Sequence, residues 1–483
     1  MNDNMTKTIT FFLCTLIAVC LGACADEDSF TTSSSYRLSF STDTLALDTI
    51  FSNVPSAHNA MWVYNRSGDG LRCSVRQEKG NTSGFRVNID GIYLGANNNY
   101  ETSEIEIRNK DSVQVFVEAT LPTASQPTPQ KDEDNLIFTL QSGVEQKVNL
   151  NAWAWNAKLV KGLVIKRDTT ISSSTPVVIY GSLKVDSNVV LTVAAGTTLY
   201  FHNDAGIDVY GRLRCEGTAE ENVVLRGDRI DRMFDYLPYD RTPGQWRGVH
   251  FYPSSYGNEL LHTDIHSSFD GIVADSSDVC QSKLILSHST IHNCQGVGLS
   301  AKYANITVTN SQITNTLGDC VNIDGGSATI NSSTIAQFYP FDGQRGAALK
   351  AVLNKDLNQL KVTNSLITGY ADDVVFLAKE DSTVDWLFDH CMLRTPKLTT
   401  ADSTHFVNVT FENVKDTTTM GEKHFKKMDT DNLIYDFHLS DKSAAIDQAD
   451  PATSPADDHD GVKRDDKPDI GAYENVKTEK KDD

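Results

Sequence analysis

The sequence is short of basic residues, and this shortage limits what the protein can bind. Lysine and arginine total 43 against 64 aspartate and glutamate residues, which gives a formal net charge of −21 and a pI near 4.9. Nucleic acid binding needs a basic surface that neutralises phosphates, so this composition predicts no nucleic acid partner. A local basic pocket for an anionic ligand stays compatible with it.

Cysteine is scarce and never forms a CxxC pair, so the sequence offers no zinc or redox motif and no metal site is predicted. After residue 24 six cysteines remain, several at strand positions where a free thiol packs as a small hydrophobe, and we expect mostly buried thiols. Long apolar runs are missing too. Beyond residues 11–23 no stretch approaches the length that spans a bilayer.

The N-terminus carries a short export signal that ends at Cys24. Lys7 supplies a positive charge, residues 11–23 are apolar, and the run closes in Leu-Gly-Ala before Cys24. Small residues before a cysteine resemble the lipobox of bacterial lipoproteins. The resemblance implies removal of residues 1–23 and lipidation of Cys24, and the alternative is an ordinary secretory signal with an incidental cysteine.

Residues 24–35 are acidic and then rich in serine and threonine, which is typical of a tether. Acidic residues directly after the cysteine resemble the surface-export signal of Bacteroidetes lipoproteins, and the alternative is a solvated linker. The resemblance implies a lipid-anchored protein of the cell outer membrane that is exposed at the surface, with the periplasmic face as the alternative. The lipid would be its only membrane contact.

Residues 36–157 contain short alternating runs of apolar and polar residues between turns, such as FRVNI at 85–89 and VQVFV at 113–117. Alternation with period two at this spacing predicts an antiparallel β-sandwich. The order of modules resembles Bacteroidetes lipoproteins in which an immunoglobulin-like domain precedes a β-helix, although the Cys…Trp…Cys pattern of antibody domains is absent. The resemblance implies a spacer or binding module.

Residues 158–410 contain an internal repeat whose apolar anchors recur at intervals of 26, 22, 22, 32 and 26 residues. A strand–turn–strand unit of this length cannot bury its apolar edge alone, so the units must stack as coils of a parallel β-helix, about 4.8 Å apart. The run VLTVAAGTTLYF at 190–201 resembles the opening of a pectate-lyase-like right-handed β-helix. The chain is therefore predicted to be all-β, an N-terminal antiparallel sandwich followed by a right-handed parallel β-helix solenoid. The anchors are Ile265, Ile291, Ile313, Ile335, Ile367 and Leu393.

A second column of polar residues lies three positions before each anchor. Side chains repeated at one position of a coil can hydrogen-bond their neighbours or the turn backbone, so the column predicts a structural ladder. A metal-binding role for its histidines is the alternative. The column consists of His262, His288, Asn310, Ser332, Asn364 and His390.

Residues 411–483 end in the motif DIGAYE at 469–474, which resembles the closing motif of secreted bacterial β-helix proteins. We expect this segment to cap the helix, with Ile446, Ile470 and Tyr473 as an apolar plug and carboxylates satisfying exposed edge amides. The aspartates within 457–460 offer oxygens for calcium, but the spaced glutamate of an EF-type loop is absent. The prediction is no cofactor, with calcium as the alternative.

A groove on the coils is the place for chemistry in β-helix enzymes. The segment Gly-Asp-Cys at 318–320 resembles the paired-aspartate segment of galacturonan hydrolases, but one aspartate and the Gly-His-Gly and Arg-x-Lys motifs are missing. Asp319 and Asp373 share one offset from their anchors and would lie two coils apart, roughly 10 Å. Together with Arg345 and Lys350 they are weak catalytic candidates, and turn aspartates that accept backbone hydrogen bonds are the alternative.

The segment 226–247 does not follow the repeat pattern of the coils and is rich in arginine and aromatic residues. Aromatic rings stack on sugar rings and guanidinium groups bind carboxylate or sulfate, so the loop is a candidate glycan-binding surface. The alternative is a loop that packs on the body of the protein, with its arginines paired to acidic residues. The candidate ligand-binding residues are Arg229, Arg232, Tyr236, Tyr239, Arg241 and Trp246.

These features favour a non-catalytic, lipid-anchored cell-envelope protein that binds a polysaccharide or surface glycan. The second hypothesis is a polysaccharide lyase or glycoside hydrolase that uses the groove on the β-helix. A purely structural adhesin or scaffold is the third. The β-helix hosts all of these activities, so the fold does not choose among them.

Overall fold

The structure is a computed structural model that describes residues 29–234, 236–379, 384–396 and 404–476. The predicted signal peptide 1–23, Cys24 and the acidic residues that follow it lie outside these ranges. No helix in the described ranges is long and apolar enough to cross a membrane. The chain divides into two bodies, residues 29–125 with 129–155, and residues 126–128 with 156–476.

The first body consists of two five-stranded sheets, in the orders β1-β3-β8-β5-β6 and β2-β10-β9-β4-β7. Short 3-10 helices lie at Gly80–Thr82 and Ala96–Asn98. Every named strand pair of this body is antiparallel except β2 with β10, which run parallel. The strands are β1 (Ser39–Phe40), β2 (Thr44–Phe51), β3 (Asn59–Tyr64), β4 (Leu71–Gln77), β5 (Phe85–Ile89), β6 (Ile92–Leu94), β7 (Ile105–Ile107), β8 (Ser112–Ala119), β9 (Gln130–Leu140) and β10 (Glu145–Trp155).

The core of this body lies between the inward faces of its two sheets. Val75 of β4, Val115 of β8 and Phe138 of β9 belong to one buried cluster, and none has measurable exposure. Alternation of buried and partly exposed side chains along β4 shows why the period-two pattern builds a half-buried strand. The body is the predicted β-sandwich, with one parallel strand pair.

The second body is a parallel β-helix. Its first strands are β11 (Lys158–Ile165), β12 (Thr169–Ile171), β13 (Val177–Val185), β14 (Val190–Ala194), β15 (Thr198–Val209), β16 (Arg212–Glu216), β17 (Val223–Gly227), β20 (Val249–Phe251), β21 (Asn258–Leu261), β22 (Thr263–His266), β23 (Ile272–Ala274) and β24 (Leu284–Ser287). Its later strands are β25 (Thr290–Cys294), β26 (Leu299–Thr309), β27 (Gln312–Thr316), β28 (Val321–Asn331), β29 (Thr334–Gln337), β30 (Leu349–Thr363), β31 (Leu366–Gly369), β32 (Val375–Lys379), β33 (Asp385–Asp389), β34 (Met392–Leu393), β35 (Phe406–Val407) and β36 (Thr410–Phe411). Two additions interrupt or follow the coils, a hairpin of β18 (Arg232–Phe234) and β19 (Leu237–Pro238) with a 3-10 helix at Tyr239–Arg241, and a hairpin of β37 (Phe425–Asp429) and β38 (Ile434–Leu439) after a 3-10 helix at Gly421–His424.

Pairing between successive coils divides the helix into three faces. Face 1 contains β20, β23 and β32; face 2 contains β12, β14, β16, β21, β24, β33 and β35; face 3 contains β17, β22, β25, β27, β29, β31, β34 and β36. The strands β11, β13 and β15 continue from face 3 to face 1, while β26, β28 and β30 continue from face 1 to face 2.

The repeat read from the sequence matches the register of face 3. Ile265, Ile291 and Ile313 are successive partners there, and the remaining anchors continue the row. All six anchor side chains are fully buried, because the interior of the helix offers each apolar residue a like neighbour about 4.8 Å above and below. The predicted all-β architecture is confirmed.

The polar column forms the tight turn between face 2 and face 3. Each of its six residues has a left-handed backbone, with φ between 41° and 49°, which asparagine and histidine adopt more readily than β-branched residues. The rings of His262 and His288 lie 4.8 Å apart, and the amide of Asn310 donates to His288 Nε2 at 3.0 Å. The structural-ladder prediction is therefore confirmed for these three residues.

The C-terminal segment covers the side of the helix, which corrects the expected cap. Tyr473 donates to Gln312 Oε1 at 2.7 Å, and the amide of Ala472 donates to Thr334 Oγ1 at 3.0 Å, so the segment lies on the outward side of face 3. Ile470 packs in the same place. Face 3 exposes apolar residues outward in its later coils, and burying them is what holds the segment there. The cluster joins Ala336, Phe338, Leu366 and Met392 to Phe425, Phe437, Leu439, Ala445, Ala449, Ile470, Ala472 and Tyr473, with Ile446 partly buried against it.

The carboxylates of this segment satisfy its own turns and not the edge of the sheet. Asp458 accepts the amides of Asp460 and Val462 with one oxygen and that of Glu474 with the other. Asp460 contacts His438 and His459 at 2.7 and 2.8 Å. Nitrogen atoms thus contact the oxygens of Asp458 and Asp460 that the calcium alternative would use. The cysteine prediction is confirmed, since only Cys280 of the six is exposed.

Candidate functional site

A groove on face 1 brings together the four residues predicted as weak catalytic candidates. Its cavity volume is about 690 Å³, and Asp319, Arg345, Lys350 and Asp373 all line it. Val321, Leu349 and Val375 are register partners on three successive coils, and Asp319 and Asp373 each lie two residues before a member of this row. The two aspartates therefore lie two coils apart, roughly 10 Å along the axis.

Both aspartates of the groove are engaged by the fold. Asp319 Oδ1 accepts the amide of Ala347 at 2.9 Å, while its Oδ2 lies 3.9 Å from Lys350 Nζ. Asp373 Oδ1 accepts the hydroxyl of Thr395 at 2.8 Å and the amide of Val375 at 3.3 Å. These contacts match the alternative of turn aspartates, because a carboxylate that orders a turn is held by N–H and O–H donors.

The cationic side chains of the groove have fewer close polar contacts within the protein than its carboxylates. Arg345 lies 4.8 Å from the ring centroid of Tyr370 and donates to the carbonyl of Asp342, and it forms no ion pair within the described ranges. Lys350 is 40% exposed and sits in register with Phe376, whose exposure is 55%. The groove thus combines two positive charges with an open aromatic face.

The arginines of the segment 226–247 are engaged within the second body. Arg229 pairs with both oxygens of Asp231, at 2.9 and 2.6 Å, and stacks 4.1 Å from the ring centroid of Tyr239. Arg241 donates to the carbonyl of Asn432 at 2.6 Å, next to the hairpin of the C-terminal segment. Arg229 therefore braces the loop internally, and Arg241 attaches it to the C-terminal segment, which favours the packing alternative.

Trp246 lies in the core, which corrects its assignment to a binding surface. Its exposure is 1%, its ring stacks on Phe201 with centroids 4.4 Å apart, and its Nε1 donates to the carbonyl of His266 at 2.8 Å. A ring that is covered in this way offers no face to a sugar. The apolar interior of the helix takes the indole because burial of so large an aromatic surface is strongly favourable.

The hairpin of β18 and β19 keeps an open aromatic pair. Tyr236 and Phe234 are 56% and 55% exposed, and their rings stack 5.7 Å apart. Arg232 is an exposed residue of the same hairpin. Of the predicted ligand-binding residues, Arg232 and Tyr236 are the ones that remain at an accessible surface.

Sequence reasoning missed a cluster of histidines and a carboxylate on face 3. Asp264 and His266 flank the anchor Ile265 and point outward, and His292 is the register partner of His266 on the next coil. Asp264 Oδ1 lies 3.0 Å from His266 Nδ1 and 3.3 Å from His292 Nε2. The sequence did contain a signal for this cluster, because both histidines directly follow an anchor of the repeat and must therefore lie next to each other on adjacent coils.

The loop 226–247 supplies a second carboxylate to this cluster. Asp240 Oδ1 lies 2.9 Å from His266 Nε2 and 2.6 Å from Arg226 Nη1. Burial alone lowers the pKa of His266, but the carboxylates of Asp264 and Asp240 outweigh burial and raise that pKa to about 9. His266 is therefore held between two carboxylates, one on its own strand and one on the loop.

A known protein family matches the coils of the second body. The family described as "Right handed beta helix region" matches residues 167–335 and 240–385, which together span most of the coils. The second body is a right-handed parallel β-helix. No curated protein sequence matches the chain.

Several solved structures show a distant resemblance to this chain. Dex49A from Penicillium minioluteum is 9% identical, with 75% of this chain and 74% of that chain covered and a TM-score of 0.25. A family 123 glycoside hydrolase from Clostridium perfringens is 5% identical over 26% of this chain and 30% of that one, with a TM-score of 0.19. The N-terminal domain of PorA is 10% identical over 24% of this chain and 97% of that one, with a TM-score of 0.18.

Proposed function

We propose that this protein is a lipid-anchored cell-envelope protein whose β-helix binds an acidic polysaccharide in the face 1 groove without cleaving it. The observation that carries the proposal is the pairing of Arg345 and Lys350 with the exposed ring of Phe376 in one groove. Guanidinium and ammonium groups bind carboxylate or sulfate, while a phenyl ring stacks on the apolar side of a sugar. The net charge of −21 disfavours binding of such a polymer over the whole surface, so binding requires a local site with cations, such as this groove.

The groove replaces the loop 226–247 as the proposed binding site. In the loop, Arg229 and Arg241 already have partners in the fold, and binding a polyanion would require breaking them. In the groove, Arg345 has no carboxylate partner among the described residues, so a ligand carboxylate adds an ion pair without removing one. Binding in the loop would break existing contacts of its arginines, whereas binding at Arg345 would break no ion pair, and this difference favours the groove.

Alanine at Arg345 or Lys350 should weaken binding of polygalacturonate by about 10- to 100-fold, because each substitution removes a charge-assisted hydrogen bond. Affinity electrophoresis and calorimetry on the purified full-length chain measure this. Lys302→Ala is the matched control, since Lys302 is an exposed cation of β26 outside the groove. Equal binding by wild type and the two groove variants would refute the proposed site.

A lyase or glycoside hydrolase is the second candidate, and one observation favours it. Asp319 and Asp373 line the same groove as the two cations, so an acid, a base and an anion-binding group lie within reach of one polymer. Release of new reducing ends from any uronate-bearing, sulfated or neutral polysaccharide, lost in Asp319→Asn or Lys350→Ala, would establish an enzyme. Binding with no product over prolonged incubation would leave the non-catalytic function.

Lipidation at Cys24 is the proposed membrane attachment. Radiolabelled palmitate should enter the wild-type chain in a bacterial host and not the Cys24→Ala variant, because the acyl chains are attached to that thiol and to its new N-terminus. Once its residues 1–23 are removed, the variant should also move from the membrane to the soluble fraction, since no apolar stretch beyond residues 11–23 replaces the lipid. Equal labelling of the two chains would exclude the anchor.

A further inference from the structure

The cluster on face 3 has the composition and spacing of a metal site. Asp264 and His266 are two residues apart on β22, so their side chains leave the same side of the strand. His292 reaches the same place from β25 because it is the register partner of His266. The ligand atoms of these three residues all lie within 4.8 Å of one another.

We propose that Asp264, His266 and His292 bind a divalent transition metal ion, with zinc as the best chemical match. Two imidazoles and one carboxylate are a common ligand set for zinc and for other borderline divalent ions, whereas calcium and magnesium take oxygen ligands almost alone. The site lies on face 3, and the proposed polysaccharide groove lies on face 1, so the two proposals stand independently.

The distances of the cluster suit tetrahedral coordination. Ligands about 2.0–2.1 Å from a tetrahedral zinc ion lie roughly 3.3 Å from each other. Asp264 Oδ1 is 3.0 Å from His266 Nδ1 and 3.3 Å from His292 Nε2, so two edges of the tetrahedron are already present. The third edge, between the two imidazoles, is within 4.8 Å, and metal binding would shorten it by rotating His292, whose side chain is 26% exposed.

Asp240 supplies the outer contact that metal-bound histidines usually have. A ligating imidazole commonly donates its second N–H to a carboxylate, which fixes its tautomer and orientation. His266 Nε2 faces Asp240 Oδ1 at 2.9 Å, which leaves Nδ1 for the metal, and Arg226 Nη1 contacts the same oxygen at 2.6 Å. The loop 226–247 thereby acquires a role as support for the metal site.

The histidine pair of the turn ladder, His262 and His288, lacks this arrangement. His262 and His288 have the same 4.8 Å ring separation as His266 and His292, but His288 contacts the amide of Asn310 and lies 3.4 Å from Asp457, within the structural ladder. Stacking in register therefore does not by itself assign a metal. The shared oxygen of Asp264 between two imidazoles is the feature that distinguishes face 3.

Zinc titration of the purified full-length chain, stripped with a chelator, tests the proposal. Calorimetry with zinc chloride should give one ion per chain, and cobalt chloride should give the visible absorption of a low-symmetry cobalt site. Asp264→Asn and His292→Ala should abolish stoichiometric binding. Asp240→Asn should weaken it by about 10- to 100-fold, as expected for a carboxylate that orients a ligand.

His250→Ala is the matched control, because His250 pairs with Asp275 at 3.0 Å on face 1 and lies outside the cluster. It should bind zinc like the wild type. Circular dichroism of each variant separates loss of metal from loss of fold, and Asp240→Asn keeps all three ligands should the ligand variants unfold. Absence of stoichiometric zinc in the wild type, or unchanged affinity in folded Asp264→Asn or His292→Ala, would overturn the proposal and leave an imidazolium–carboxylate network.

Discussion

Replacing Trp246 by alanine should lower the free energy of unfolding of the β-helix by about 3–5 kcal/mol. The substitution removes a fully buried indole from its stack on Phe201 and leaves a cavity in a stretch where every coil supports the next. It also leaves the carbonyl of His266 without its Nε1 donor. Guanidinium unfolding followed by circular dichroism measures the change.

Tyr236→Ala is the control for Trp246, since both are aromatic residues of the segment 226–247 and Tyr236 is exposed. Its effect on unfolding should stay within about 0.5 kcal/mol. A Trp246→Ala variant that unfolds at the wild-type midpoint but no longer retains glycan would contradict the buried position and restore the indole as a sugar platform.

Glu412→Gln should destabilise the attachment of the C-terminal segment by about 3–5 kcal/mol, the usual cost of breaking a buried ion pair. The Glu412 side chain is fully buried, 2.9 Å from Arg394 Nη1 and 3.2 Å from His424 Nε2. Glutamine removes the buried counter-charge of the Arg394 guanidinium and leaves it the exposed carboxylate of Asp372, 3.6 Å from Nη2. Limited proteolysis should then release fragments beyond residue 412, and the melting temperature should fall.

Lowering the pH should weaken the attachment of the C-terminal segment in the same way as Glu412→Gln. Burial raises the pKa of Glu412, but hydrogen bonds from His424 and Arg394 outweigh burial and hold the pKa below its usual 4.5. A carboxyl group with a depressed folded-state pKa stabilises the protein above that usual value, and the contribution is lost as the pH falls through the lower folded-state value. Wild type and Glu412→Gln should therefore converge in stability in acid.

Glu422→Gln is the control for this ion pair, because Glu422 pairs with Lys423 at the surface, where ion pairs contribute little. It should melt like the wild type at every pH. A Glu412→Gln variant that resists proteolysis and keeps its acid profile would show that the apolar cluster alone holds the segment to face 3.

The β-helix could be predicted from the sequence because its coils repeat the same pattern of residues. Anchors such as Ile265 and Ile291 recur because each coil must place an apolar residue against the same residue of its neighbour, and the register reproduces that alignment. The polar column followed from the same logic, since one turn conformation repeats at His262, His288 and Asn310. Even the two-coil offset between Asp319 and Asp373 could be counted from their anchors.

Predictions made from the composition of a segment were wrong where the environment of a residue depends on the rest of the chain. The arginines and aromatics of 226–247 have the composition of a glycan-binding loop, but Trp246 packs in the core and Arg229 pairs with Asp231. The closing motif has the composition of a plug, but Tyr473 meets Gln312 on the side of the helix. No local pattern states whether a segment folds over an end or along a face, because both bury the same apolar side chains.

The sequence by itself determined an all-β chain with a stacked repeat, a turn ladder and the coil positions of the groove residues, because local periodicity dictates each of these. The tertiary structure alone decided which side of the helix the C-terminal segment covers and which arginines are already paired. It also brought Asp240 of the loop to His266 of face 3. Except for the local pair of Arg229 with Asp231, those contacts join residues far apart in the chain, and their formation depends on the packing of whole segments against one another.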